Sequence, residues 1–366
     1  MKKNNSNNVR AIRCYCEFLK EAKRQSDVSV DGVTKAINRF EEYTKYKDFK
    51  QFHRQQAVGF KKYLTEQKNA VTDKPLSKAT IHTTLRHLKA FFQWLALRSG
   101  YRSRLTYSDT EYFNLSEKDA RIANAPRKKS VPTVEQITQV LTAMPCMTHI
   151  EKRDRALVAC TLLTGARDRA LASLKLKHIC IAEQSLYQDA REVKTKFSKT
   201  FTTYFFPVGE LPLQILTEWV SYLEHELSFG ADDPLFPKTK VKNSPSHKFE
   251  TMGLTNEHWT TAGPIRRIFK QAFKAAELPY YNPHSFRNTL VRLGEKLCSN
   301  AEEFKAWSQN LGHEGVLTTF YSYGEVADYR QAELLKKLAK SSTDTPSDMK
   351  EQFEQFMAFQ KMMSNQ

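Results

Sequence analysis

Asn282-Pro283-His284-Ser285-Phe286-Arg287 is the stretch on which the reading of this chain turns. Asparagine accepts hydrogen bonds from the free N–H groups of a helix start. Proline fits the first helical position, where its missing N–H costs nothing. A helix entered at Pro283 carries His284 and Arg287 at i and i+3, so both side chains share a face near the positive end of the helix. That face suits an anion: an imidazole can take a proton or hydrogen-bond an oxygen, and a guanidinium can hold two oxygens at once. Standing alone, the same residues also describe a capped helix with an incidental histidine and arginine.

Working outward, Gln309-Asn310-Leu311-Gly312-His313 ends a helix at Gly312 and presents His313, with Tyr321 and Tyr323 following. Upstream, an apolar helix over 154–163 stops at Thr164-Gly165, and Arg167 stands in the turn before a helix running from Asp168 to Leu174. A turn at a helix start exposes N–H groups, which suits an anion. The plain alternative is a surface arginine paired with Asp154 or Asp168. Residues 191–207 are rich in β-branched and aromatic side chains with a polar break at Phe197-Ser198-Lys199, the pattern of a hairpin or small sheet edge. That hairpin offers Lys194, Lys196 and Lys199. Lys196 falls at the end of the first strand; the spacing also allows Lys199, and a lysine can simply guard a sheet edge.

In this order, Arg167 in Thr-Gly-Ala-Arg, Lys196 in Thr-Lys-Phe, His284 and Arg287 in Pro-His-Ser-Phe-Arg, His313 in Leu-Gly-His and Tyr323 in Phe-Tyr-Ser-Tyr-Gly resemble the catalytic set of the tyrosine recombinases, the phage integrase family. Integrases of phages and integrative conjugative elements are the nearest likeness, and it extends over most of residues 60–325. Two departures stand out. A Glu often follows the family's first arginine by three positions, and Ala170 stands there. The family's tyrosine most often lies nine residues after the Gly-His histidine, which here is Ser322. The ending Thr-Thr-Phe, two residues, Tyr-Gly resembles that of phage and conjugative-element integrases and favours Tyr323 over Tyr321.

The resemblance implies a mainly α fold with a small β-sheet or hairpin, arranged as a two-domain C-shaped DNA clamp: a helical core-binding domain plus a mixed α/β catalytic domain. It implies that Tyr323 attacks a scissile phosphate, leaving a 3′-phosphotyrosine and a free 5′ hydroxyl. Arg167, Arg287 and His313 would stabilise the crowded phosphate, His284 assist proton removal, and Lys196 protonate the departing oxygen. The bond energy stays in the protein linkage, so no cofactor, ATP or metal is called for. The implied partners are double-stranded DNA at specific recombination sites, three further copies in a homotetramer, and DNA-bending accessory proteins. A type IB topoisomerase and a decayed DNA-binding protein are the rival readings.

Composition points the same way. The 366 residues carry a net charge of +17, which attracts polyanions, nucleic acid foremost. Apolar residues make up 40% of the chain, but no run approaches the ~18 that a membrane span needs. Cys14, Cys16, Cys146, Cys160, Cys180 and Cys298 are dispersed, and read as reduced thiols of a bacterial cytoplasm, with the protein on the nucleoid. No carboxylate cluster stands near the His-x-x-Arg or Gly-His motifs to hold the cations of a metal-dependent nuclease.

Residues 1–124 read as the helical DNA-binding domain. Its clearest helix starts at an N-cap, Ser77, and runs to Arg98, with Gly100 as the stop. Ile81, Leu85, Leu88, Phe92 and Leu95 form the apolar stripe; His82, Arg86 and Lys89, continued by Gln93, form another that is either a solvated face or a surface laid on DNA. Residues 125–132, with Arg127, Lys128 and Lys129 between prolines, read as a basic extended linker. Residues 133–340 would be the catalytic domain, opening on a helix capped by Thr133 and Gln136. Residues 238–262 read as an extended loop. The tail, 341–366, is amphipathic in its second half, and is either solvated or exchanged between subunits.

Overall fold

The computed structural model describes residues 5–69, 72–125, 130–243 and 249–313. The chain divides at 126/127 into two compact units. Arg127, Lys128, Lys129, Tyr321, Tyr323 and the tail from 341 lie outside the described residues.

The first unit is helical: α1 (Ser6–Glu17), continued by a π turn, α2 (Asp27–Tyr43), α3 (Arg54–Glu66), α4 (Lys78–Ala96) and α5 (Glu117–Asn124). Ser77 caps α4 by accepting from the Thr80 N–H, and Ile81, Leu85, Leu88, Phe92 and Leu95 are all buried. The stripe predicted from spacing is therefore the core face. Around it aromatic rings interlock: Phe52 stacks on Phe92 at 4.1 Å, and Phe40 meets Phe60 and Phe92 edge-on at 5.1 and 5.2 Å. Such geometries add directionality to the burial of large apolar area.

The second unit holds α6 (Val134–Ala143), α7 (His149–Thr164), α8 (Asp168–Leu171), β1 (Ile179–Cys180), β2 (Ser185–Gln188), β3 (Phe201–Tyr204), α9 (Glu210–His225), β4 (Thr239–Asn243), β5 (Phe249–Leu254), α10 (Gly263–Ala275), α11 (Pro283–Leu297) and α12 (Ala301–Asn310). Thr133 and Gln136 form a reciprocal capping box on α6. In α7 every residue from Ala156 to Thr164 is buried, as a central helix with no polar face must be. Gly165 ends it in the left-handed conformation, at φ 59°.

β1, β2 and β3 form an antiparallel sheet in that order, with Leu186 opposite Thr203. The expected hairpin exists, but its first strand is Ser185–Gln188 rather than the stretch from 191. Residues 189–200 are the connection, so Lys196 lies in a long turn. The strand predicted from 191 yields to hydrogen bonding: Asp189 accepts from the Arg191 N–H and caps a turn, as aspartate does where the chain bends. Residues 238–262 likewise contain more than a loop, since β4 and β5 pair antiparallel within them.

Candidate active site

Three segments of the second unit converge on Arg287. α11 opens as its sequence requires, with the Asn282 side chain accepting from the Ser285 N–H and Pro283 in the first turn. His284 stays exposed, whereas Arg287 turns inward and is only 4% exposed. Its guanidinium donates to the Gly165 carbonyl at 2.7 Å, to the Leu311 carbonyl, and to His313 Nε2 at 3.0 Å. One arginine thus ties the end of α7, α11 and the Gly-His turn together. With Nε2 as acceptor, the neutral His313 ring carries its proton on Nδ1.

Arg167, half-buried, stands two residues beyond Gly165 as the N-cap of α8. Neither aspartate that could have neutralised it does so: Asp154 pairs with Arg153 at 2.6 Å and Asp168 with Arg266 at 2.7 Å. Ala170, where the family often has Glu, is 1% exposed and belongs to the core. Arg167 has no carboxylate among the described residues. Burial lowers its pKa. Burial, then the charge of Arg167, pushes Arg287 down to about 9. Two guanidiniums held close, with no carboxylate paired to either among the described residues, form a site that an anion would relieve.

His313 is pushed down to about 4, first by burial, then by the charges of Arg287, Arg167, His284 and Lys196. Four sequence-predicted residues therefore act on the fifth across space. A depressed folded pKa means that the unfolded chain takes up the proton first. His313 therefore contributes stability above its ordinary pKa of about 6.5, which is lost as pH falls from there toward 4. Thermal melts of the DNA-free protein in low-phosphate buffer should show a decline over that window, to which His87, His178 and His258, also depressed by burial, add, and His313→Gln should make it shallower. An equal decline in His313→Gln would place the titrating group elsewhere.

Lys196 is exposed at the tip of the β2–β3 connection. Lys194 donates its backbone N–H to Ser173 Oγ at 2.9 Å, and the Thr195 hydroxyl donates to the Lys199 carbonyl at 2.8 Å. These bonds close the base of the tip and point it as a unit.

The residue that sequence reasoning overlooked is Asn310, the last residue of α12. Its amide accepts from the Tyr204 N–H at 2.7 Å and donates to the Tyr204 carbonyl at 2.8 Å, mimicking one more strand on the edge of β3. A Cβ at Gly312 (φ 67°) would lie 2.7 Å from the Phe201 ring, so only glycine lets the Gly-His turn close on the sheet. Asn310 and Gly312 together dock His313 against the hairpin that carries Lys196. No local signal announces this, because the partners are 106 residues apart.

In the first unit, Arg86 is exposed and His82 half-buried on α4. Lys89 is engaged within the unit, 2.7 Å from Glu111 and 3.1 Å from the Asn114 side chain. Among the described residues no cluster of His, Cys, Asp or Glu could hold a metal ion, and no helix is long and apolar enough to cross a membrane.

Comparison with known proteins adds an independent line. A model of the phage integrase family matches residues 131–330, and a model of the phage integrase SAM-like domain matches residues 9–112. The tyrosine recombinase XerC of Bacillus pumilus is 21% identical over 319 residues, covering 86% of this chain and 91% of its own. A lambda integrase dimer bound to a COC′ core site superposes with a TM-score of 0.58 at 15% identity, covering 87% of this chain and 97% of that one. A lambda integrase tetramer bound to a Holliday junction gives 0.55 at 16% identity, covering 89% and 81%. At these identities the two structures speak to the fold.

Proposed function

This chain belongs to the phage integrase family, and from that premise we propose that it is a tyrosine site-specific recombinase that cuts and rejoins DNA through a 3′-phosphotyrosine, integrating or excising a mobile element. The observation that carries the proposal is the pair of guanidiniums, Arg167 and buried Arg287, meeting a neutral His313 with no carboxylate among the described residues. Such a pocket pre-organises donors for a phosphate whose charge grows as a fifth oxygen approaches.

The Tyr323 phenol oxygen bonds to phosphorus, the bond from phosphorus to the 5′ oxygen breaks, and the free 5′ hydroxyl leaves with a proton. His284, exposed at the entrance, takes the phenol's proton. Lys196 gives the proton to the departing oxygen. A 5′ hydroxyl from a second duplex reverses the step, so the energy of the original bond is conserved. Arg167, Arg287 and His313 stabilise the negative charge of the crowded phosphate throughout. Residues 133–340 perform this chemistry, while residues 1–124 grip duplex DNA, with Arg86 better placed for phosphate contact than the engaged Lys89. The linker 125–132, through Arg127, Lys128 and Lys129, tracks the backbone. Assembly is a homotetramer on specific sites, assisted by DNA-bending proteins, with the tail from 341 exchanged between subunits. The setting is the bacterial cytoplasm and its nucleoid.

The test is a nicked duplex whose cleavage releases a short fragment, so that the covalent adduct cannot religate, incubated with the full chain in chelator. The wild type should give a covalent protein–DNA band on a denaturing gel, and Tyr323→Phe should abolish it while Tyr321→Phe retains it. Loss only in Tyr321→Phe keeps the reaction and moves the nucleophile. DNA binding with no band from the wild type would overturn the enzyme reading.

A further inference from the structure

The tip that carries Lys196 also carries a side chain that the fold does not explain. Phe197 is 73% exposed and sits at φ 61°, ψ 23°, and Ser198 follows at φ 50°. Left-handed backbone crowds Cβ against the neighbouring carbonyl, and glycine or asparagine would adopt it at lower cost. An aromatic ring in water adds nothing to the core. Within the chain its described ring contact is with the Lys196 ammonium, 4.7 Å from the ring centroid. The tip's base is closed on both sides, by Thr195 to the Lys199 carbonyl and by the Ala190 N–H to Thr200 Oγ1 at 3.0 Å. Buried Val193 anchors the approach. The exposed ring therefore stands at the tip of a closed turn that also carries Lys194, Lys196 and Lys199, next to the Lys196 ammonium whose charge reaches His313.

Resting on the recombinase reading, we propose that Phe197 is a wedge: its ring enters the base stack at the step beside the scissile phosphate and holds Lys196 against the departing 5′ oxygen. A planar apolar ring flanked by cations fits this occupant, since bases stack on aromatic side chains while the ammonium groups meet the backbone. A wedge works most cheaply at pyrimidine–purine steps, which unstack easily. Phe197 thus becomes a positioning residue that also biases the choice of cleavage step, by deformability rather than by hydrogen bonds to base edges.

The experiment uses a duplex selected from a random-sequence pool by the full-length chain, with the cleavage position mapped on the wild-type adduct. 2-Aminopurine is then placed beside the mapped phosphate. Its fluorescence should rise when Tyr323→Phe binds and stay flat with the double variant Tyr323→Phe/Phe197→Ala. Adduct formation should fall about tenfold in Phe197→Ala on a fully paired duplex. It should return to within about twofold of wild type when the adjoining pair is mismatched and already unstacked. Phe197→Trp should keep both signals. Phe197→Gly should melt at or above the wild-type temperature while losing them, which separates the wedge from a folding role. A fluorescence rise that persists undiminished in Tyr323→Phe/Phe197→Ala, or an equal deficit on paired and mismatched duplexes, would overturn the wedge and leave the ring as a cover for Lys196 or a protein contact. No adduct from the wild type on any selected duplex would overturn the recombinase reading itself.

Discussion

Replacing Arg287 with methionine is expected to lower covalent complex formation by about 10²–10³ while leaving the melting temperature near that of the wild type. The two effects part because Arg287 serves the reaction at the expense of the fold. Its cation is 4% exposed, faces Arg167, and has no carboxylate among the described residues. Its depression to about 9 from 12.5 corresponds to a penalty of the order of 5 kcal/mol on the charged form. Against this, the Gly165 and Leu311 carbonyls lose a donor, at about 1–3 kcal/mol each. The terms nearly cancel, and methionine fills most of the volume. Arg287→Lys should also be slow, since one ammonium cannot serve two carbonyls and a phosphate in forked geometry. Added phosphate or sulfate should raise the melting temperature of the wild type and not of Arg287→Met, because an anion that binds only the folded state stabilises it. A variant that melts far below the wild type, with no anion effect in either protein, would make Arg287 a structural strut.

The second large effect is expected at Gly165→Ala. Gly165 is left-handed at φ 59°, and a Cβ there would lie 2.9 Å from Leu311 Cδ2 and 3.0 Å from Leu290 Cδ1. Both leucines are fully buried, so neither can swing away into solvent. The backbone conformation costs about 1–2 kcal/mol for alanine, and forcing a methyl into a filled core costs about 1–3 kcal/mol more. The melting temperature of the second unit should fall by about 5–15 °C. Activity should fall at least about tenfold as well, because the displaced groups are those that place the site. The Gly165 carbonyl holds Arg287, Leu311 adjoins the Gly-His turn, and Arg167 is two residues on. Calorimetry together with the adduct gel checks both. Wild-type behaviour in either would mean that the turn can relax without moving the arginines.

Both expectations concern a site whose members were legible before their arrangement was. Capped helices announce themselves locally: Ser77 before α4, Thr133 with Gln136, and Asn282 with Pro283 each act within four residues, and each is found where the spacing put it. The apolar stripe of α4 was equally plain, because a 3.6-residue repeat has one way to bury its large side chains. The hairpin was recognised and its second strand lies where expected, but its first strand was displaced. β-Branched and aromatic content extends past the paired residues, and pairing is decided by what lies across the sheet. In the 238–262 stretch, polar residues with Asn243-Ser244-Pro245 and Gly253 suggested a loop where β4 and β5 pair.

By itself the sequence determined a mainly helical, strongly basic chain with arginine, lysine, histidine and tyrosine in an order that resembles the phage integrase family. The helices and the basic character came from short-range signals and charge, which need no knowledge of the fold, and the order of the site residues from the family resemblance. Only the tertiary structure decided that Arg287 is buried and His284 exposed, although they are one helical turn apart. It alone gave Asp168 to Arg266 instead of Arg167, and hung the Gly-His turn on β3 through Asn310. The physical reason is separation. The hydrogen bond from Arg287 to Gly165 spans 122 residues and that from Tyr204 to Asn310 spans 106. The depressed pKa values of Arg287 and His313 arise from burial and from charges brought close only by packing.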